Sequence, residues 1–207
     1  MTEFNEKQIE ILQVAENLFA EIGFDGTSIR DIAKTANINI AMISYYFGSK
    51  EKLLEALLLY RISGMSLDLE TLYQESISPT QKIEKLIAYY ISIINNNRCM
   101  YQILHFEHSS KKREINLDAF TEVKNNNLKL IENIIKEGQE QGLFQPNINV
   151  ALLPPIIIGS FIHIHMNKKY YEEILDLKND SDFDNYVLTD LTSHIQKTIK
   201  ALLVYEN

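Results

Sequence analysis

The sequence predicts an all-α protein, and three observations carry that expectation. Apolar residues recur at three- and four-residue spacing along nearly the whole chain, with no convincing two-residue alternation anywhere. Only seven glycines and four prolines interrupt 207 residues, which favours long helices over many short strands. Capping residues stand ahead of several apolar runs, where helices begin. Together they divide the chain into about nine helices.

The first helix is read over roughly 3–22, with Ile11, Val14, Ala15, Leu18, Phe19 and Ile22 on one face. Gly23 is expected to end it as a left-handed cap. Thr27 or Ser28 then caps a second, short helix; Ser28 and Asp31 have capping-box spacing. Asn39 caps the third helix and Ser49 the fourth, which opens at Lys50. Ser78, Pro79 and Gln81 form a strong start signal for the fifth. Residues 99–108 read as a short apolar helix, 108–114 ("HSSKKRE") as an exposed loop, and 115–141 as a long amphipathic helix ending at Gly142. Residues 150–175 are the most apolar segment, which Pro154 and Pro155 either delay or kink. In the last helix, 183–205, Phe183, Val187, Leu191, Ile195, Ile199 and Leu202 make a stripe of about six turns.

Composition narrows the function classes. Hydrophobic residues at 45% and charged residues at 23% are ordinary for a globular chain of this length. One cysteine, Cys99, allows no intrachain disulfide and fits a reducing compartment. The opening "MTEFNEKQIE" has no apolar core of a secretory signal. The longest apolar run, Ala151 to Met166, is too short to span a bilayer. A cytoplasmic protein without membrane segments is therefore expected. No Ser/His/Asp arrangement, glycine-rich phosphate loop or paired-carboxylate motif supports an enzyme. His105 and His108 share a helix face near Cys99, but no carboxylate cluster completes a metal site, and His163 and His165 point to different faces. No cofactor is expected. Lys111, Lys112 and Arg113 read as a solvated loop.

A net charge of −8 gives no general attraction to nucleic acid. Up to residue 65, six Lys/Arg face nine Asp/Glu. Between Thr27 and Leu53, however, Arg30, Lys34, Lys50 and Lys52 outnumber Asp31 and Glu51. A few well-placed phosphate contacts suffice for DNA. The three short helices in this region have the spacing of a helix-turn-helix, at about 28–47. On a helical wheel, Ile40, Ile43, Ser44 and Phe47 share one side of the third helix, packing on Ile29, Ile32, Ala33 and Ile38. Ala41, Met42, Tyr45 and Tyr46 share the other side, which must meet solvent or a partner. Small and aromatic side chains suit a major groove, where apolar groups touch thymine methyls and tyrosine hydroxyls reach phosphates or base edges. Asn39 and Lys50 flank that side, and Thr27 offers a hydroxyl at a helix N-terminus.

The stretch "GFDGTSIRDIAKTANINIAMISYYFGSKEKLLEALL" closely resembles the DNA-binding segment of the TetR-type transcriptional regulators. A weaker likeness lies in "IIKEGQEQGLFQPNINVALL". Asn37 stands where the family usually has glycine, and Ser44 where many members have tyrosine, leaving a smaller phosphate-contacting group. No basic arm precedes the first helix. The resemblance implies a DNA-binding domain at 1–65 and an effector-binding and dimerisation domain at 66–207. It implies a homodimeric repressor on a palindromic double-stranded operator, with Thr27, Ser28, Asn39, Ala41, Met42, Ser44, Tyr45, Tyr46 and Lys50 toward DNA. It places a small-molecule effector, apolar or aromatic, in the second domain, with Tyr89, Tyr90, Tyr101, Phe106, Phe120, Phe161 and His163 as lining candidates. The dimer is expected through the last two helices, on Val187, Leu191, Ile195 and Ile199. The rival is a helical ligand-binding or interaction protein whose head does not bind DNA, which the acidic head favours.

Overall fold

The computed structural model describes residues 4–110, 112 and 115–204, and their side chains apart from those of 64–68, 108–110 and 119. Among the described residues are eleven α-helices and no strand. They are α1 Glu6–Gly26, α2 Ile29–Thr35, α3 Ile40–Phe47, α4 Lys50–Gln74, α5 Pro79–Asn96 and α6 Arg98–Ser110. The chain continues with α7 Asp118–Glu140, α8 Leu153–Met166, α9 Lys168–Ile174, α10 Asp180–Tyr186 and α11 Thr192–Leu203. A 3-10 turn, Val150–Leu152, leads into α8, and a π-helical turn, Val187–Leu191, joins α10 to α11 without a gap. The two helices beyond the expected nine arise from that π turn and from a break at Asn167, where α8 and α9 meet at 84°. Lys111, Arg113 and the His108 side chain lie outside the described residues.

The helices fall into two compact units. One comprises the chain up to Ser66 together with Asn97–Lys124; the other comprises Leu67–Asn96 and the chain from Asn125 on. Residues 97–124, placed by sequence in the second domain, therefore cluster with the head. The reason lies in α6, whose Met100 and Ile103 are buried in the same apolar core as Ile11 and Leu12 of α1. Burying each such side chain stabilises by about 1.5–3 kcal/mol.

Within the first unit, α1 starts at a capping box. The Asn5 side chain accepts from the Gln8 N–H at 2.9 Å, and the Gln8 side chain accepts from the Asn5 N–H at 3.0 Å. Ile11, Leu12, Ala15 and Phe19 are buried, but Ile22, assigned to the same stripe, is 51% exposed. Gly23 has φ 76 and ψ 163, not the left-handed helical cap expected of it but an extended region open essentially to glycine alone. This break turns Phe24 into the core. Glu16 is buried too, and Arg61 of α4 meets it, with Nε donating at 2.9 Å. Removing one member of such a pair typically costs about 3–5 kcal/mol, because a buried charge is left alone.

In the second unit, α5 begins as the sequence predicts. Ser78 Oγ accepts from the Gln81 N–H at 3.3 Å, and Gln81 Oε1 accepts from the Ser78 N–H at 3.1 Å. Lys82 of α5 pairs with Glu137 of α7 at 2.9 Å. Helix α7 closes on Gly142, φ 70, with the Leu143 N–H returning to the Gly138 carbonyl at 2.8 Å. A Cβ on Gly138 would lie 2.1 Å from the buried Phe144 ring, so only glycine lets that ring seat. Pro154 and Pro155 fall in the first turn of α8 and delay its start; they do not kink it.

The last helical run corrects the dimer expectation. Val187, Leu191, Ile195 and Ile199 are all buried within a single copy of the chain. They belong to the chain's own core, beside α5, where Gln196 Nε2 donates to the Glu84 carbonyl at 2.8 Å. Periodicity reports that a face is buried and is silent on what buries it. Leu202, counted in the stripe, is exposed instead. Helix α8 shows the opposite pattern. Leu153, Ile157, Phe161 and Ile164 turn inward, whereas Met166, and Leu152 in the 3-10 turn just before, are 66% and 54% exposed. Pro155, Gly159 and His163 share their outward side. From Ala151 to Asn167 there is no Asp, Glu, Lys or Arg. No single helix among the described residues is long and apolar enough to cross a membrane.

Candidate nucleic-acid interface

The helix-turn-helix is held by local hydrogen bonds that the sequence encodes residue by residue. Ser28 caps α2: its Oγ accepts from the Asp31 N–H at 3.1 Å and donates to Asp31 Oδ2 at 2.5 Å. The Asp31 carboxylate also accepts from the Ser28 N–H. The Ser28 side chain, then its backbone, hold the Asp31 carboxyl below its ordinary value. Helix α2 ends on Asn37 at φ 50, a left-handed conformation that asparagine tolerates. The Ile38 N–H bonds to the Ala33 carbonyl at 3.0 Å and the Asn37 N–H to that of Lys34 at 3.2 Å, so no Gly is needed in the turn. Asn39 then caps α3, accepting from the Ala41 N–H at 2.8 Å. Gly48, φ 80, closes α3, and Ser49 caps α4 through the Lys52 N–H at 3.2 Å. The turn between α2 and α3 is thereby fixed at both ends.

Helix α3 seats through Ile43 and Phe47, which are buried with Ile32 and Ala33 of α2. Its outward side differs from the wheel by about one residue. Ile40 is 42% exposed and Ser44 is exposed, although both were assigned inward. Met42 is half-buried, and Tyr46 is half-buried against the head core, although both were assigned outward. The two tyrosines are thus unlike: Tyr45 is 84% exposed, its ring set edge-to-face with that of Tyr46, centres 5.2 Å apart. The presented side is Ile40, Ala41, Ser44 and Tyr45. Ile40 was missed because the first residue of a helix overhangs the core that the wheel assigns to it; its place directly after the Asn39 cap was the available signal.

Two expected phosphate contacts are corrected. Thr27 is 1% exposed, and its hydroxyl donates to the carbonyls of Leu18 and Gly23 at 3.1 and 2.8 Å. It ties the end of α1 to the start of α2. Lys50 Nζ donates to the carbonyls of Phe24 and Thr27, both at 2.8 Å, and lies 4.2 Å from the centre of the Phe24 ring. An ammonium so held is a strap across the turn before α2. Exposed cations beside the motif are Arg30 and Lys34 on α2, which were not singled out as contacts.

The effector candidates separate. Tyr101 and Phe120 pack against the core of the head unit. Phe106 belongs to the same unit and is exposed. Tyr89, Tyr90, Phe161 and His163 belong to the second unit, where Tyr90 and Phe161 are buried, Tyr89 is half-buried and His163 is exposed. The seven do not form one set within either unit. Burial pushes the Tyr90 phenol up to about 12, and a hydrogen bond with Asn127 opposes that shift.

Comparison with known proteins agrees with this geometry. The family described as bacterial regulatory proteins, tetR family, matches residues 11–57, and the YsiA-like protein C-terminal region matches residues 65–188. The probable HTH-type transcriptional regulator YttP of Bacillus subtilis is 34% identical over 138 residues, 64% of this chain and 64% of its own length. The fatty acid degradation regulator FadR of Bacillus halodurans superposes with a TM-score of 0.72 at 21% identity, over 96% of this chain and 97% of that one. FadR of Bacillus subtilis in complex with stearoyl-CoA gives 0.67 at 20% identity, over 94% and 98%. Two family matches, the second spanning more than half of the residues, establish that the chain belongs to the TetR family of bacterial transcriptional regulators.

Proposed function

We propose that this regulator binds an inverted-repeat operator as a homodimer, represses there, and lets go when a small molecule with a long apolar portion binds its second domain. The observation that carries the DNA contact is the uncharged, exposed side of α3, seated by Ile43 and Phe47 and capped by Asn39. Ala41, Ser44 and Tyr45 enter the groove, while Arg30 and Lys34 reach phosphates. Ser28, Asn39, Met42 and Tyr46 support that helix more than they touch DNA. The two-fold assembly rests on α8, since a helix that is apolar all round is stable in water only when covered on both sides. A second copy supplies the matching face. Gly159, where an added Cβ meets nothing within 4 Å, lets the partner's helix come close.

The effector reading rests on the likeness to FadR, solved with stearoyl-CoA. It also rests on the apolar second unit, where Tyr90 and Asn127 supply one buried polar pair. An effector shifts the regulator only by its different affinity for the DNA-bound and released forms. The test is fluorescence anisotropy of a duplex carrying the DNA beside the chain's own gene. Addition of stearoyl-CoA should release the duplex, whereas benzoate should not. Release by small aromatic acids alone would replace the long-chain reading; a duplex never bound would remove the DNA reading.

A further inference from the structure

The recognition helix lacks every side chain that reads guanine, adenine or cytosine by a paired or charged contact. From Ile40 to Phe47, "IAMISYYF", there is no Arg, Lys, Asn, Gln, Asp or Glu. Those residues make the two-pronged contacts to guanine and adenine or accept from cytosine. Asn39 precedes the helix, but its Oδ1 is committed to the Ala41 N–H. What α3 presents is an isoleucine in its first turn, an alanine beside it, and the hydroxyls of Ser44 and Tyr45. Reading residues in this motif sit at the helix's N-terminal end, where Ile40 and Ala41 lie. Ile40 is 42% exposed at the start of α3, and an exposed branched apolar side chain beside DNA has one base-edge partner of matching chemistry, the thymine C5-methyl.

We infer that Ile40 is a specificity-determining residue that reads a thymine methyl group, so that each operator half-site is selected chiefly by thymine and not by guanine. This rests on the DNA-contact reading above. Ile40 supplies the wall of the methyl's pocket and Ala41 its floor, while Ser44 and Tyr45 set the helix's depth through hydrogen bonds that any base sequence tolerates. Affinity for the wrong sequence then falls by loss of burial, not by an unpaired charge.

The experiment selects an operator from a randomised duplex pool with the full-length protein, then replaces each thymine of one half-site by deoxyuridine, which removes only the methyl. One position should lose about fourfold in affinity, the worth of one buried methyl-sized group. Replacing it in both half-sites should cost roughly sixteenfold. In Ile40→Ala, whose melting temperature should equal wild type because the side chain is exposed, the same replacement should change affinity by less than twofold. A selected half-site read without any deoxyuridine effect overturns the inference, as does an effect that persists undiminished in Ile40→Ala. Failure to select any duplex overturns the DNA-contact reading itself and the inference with it.

Discussion

Helices α3 and α8 both show water a side that carries no charge, yet they differ in what is mixed into it. The exposed side of α3 combines Ile40 and Ala41 with two hydroxyls, Ser44 and Tyr45. That of α8 carries Pro155, Gly159 and Met166, with Leu152 in the turn just before it and His163 as its one titratable group. Hydroxyls among apolar groups suit a surface that is itself half polar, as a groove of bases and phosphates is. A nearly pure apolar side suits only another of its kind. Exposed apolar surface does not name its partner; the polar atoms scattered through it do.

The largest expected effect separates the buried side of the last helical run from the open side of α8. Leu191→Glu, at a position that is 4% exposed, should unfold the second unit, at a cost of roughly 4 kcal/mol or more by thermal or urea denaturation. Met166→Glu should instead leave the melt of each copy nearly unchanged while sedimentation equilibrium shows monomers. If Leu191→Glu is a stable monomer and Met166→Glu a dimer, the assignment of the two faces is reversed.

A buried phenol offers a second measure of how closed the second unit is. The unfolded chain gives up the Tyr90 proton near the ordinary value of 10, whereas the folded chain keeps it to about 12. Its contribution is therefore complete below pH 10 and is lost as pH rises through that window, by about 2–3 kcal/mol. Wild type should lose more stability than Tyr90→Phe between pH 9 and 11.5. Parallel curves would mean that Tyr90 is wetter than its burial indicates.

In the head, Lys50→Met should lower stability by about 1.5–3 kcal/mol, since the Phe24 and Thr27 carbonyls lose a charged donor. The salt dependence of DNA binding should not change. A slope flatter by one unit, without loss of stability, would return Lys50 to the phosphates. The smallest effect distinguishes the two tyrosines. Tyr45→Ala should cost about 1–2 kcal/mol of operator affinity at unchanged stability. Tyr46→Ala, which removes a ring packed on the head core, should also lower the melting temperature. Identical behaviour of the two would contradict their different burial.

How far the sequence could be read differs between the same two regions. The helix-turn-helix was legible because its signals are local: Ser28 with Asp31, Asn37 in the left-handed turn and Asn39 before α3 act within three or four residues of themselves. The wheel misplaced Ile40, Ser44, Met42 and Tyr46 because an eight-residue helix is too short for an ideal wheel to survive its end effects, although the resemblance already set Ser44 toward DNA. Thr27 and Lys50 looked like phosphate contacts because their partners, the carbonyls of Leu18, Gly23 and Phe24, are backbone atoms that no side-chain pattern reveals. In the second unit the helices were visible but their neighbours were not. The stripe on Val187, Leu191, Ile195 and Ile199 reads the same whether it meets α5 or another copy. Residues 97–124 joined the head through Met100 and Ile103, contacts made across more than forty positions of chain.

The π turn between α10 and α11 has a consequence for how this chain can change in length. Phe183, Val187, Leu191, Ile195, Ile199 and Leu203 keep a spacing of four residues, although an α-helix repeats every 3.6 and would carry such a series steadily round its circumference. The wider turn at Val187–Leu191 takes up part of that drift, and the Thr192 hydroxyl donates to the Val187 carbonyl at 2.9 Å. It holds, in effect, one residue more than an α-helix joining the same two ends would. Loss of a single exposed residue there, Thr189, would let the segment relax to an ordinary helix with both flanks still in phase. Gain of a residue would turn Ile195 and Ile199 away from the interior. The last helix is therefore asymmetric toward length change: at this one turn, descent by deletion is open and descent by insertion is closed.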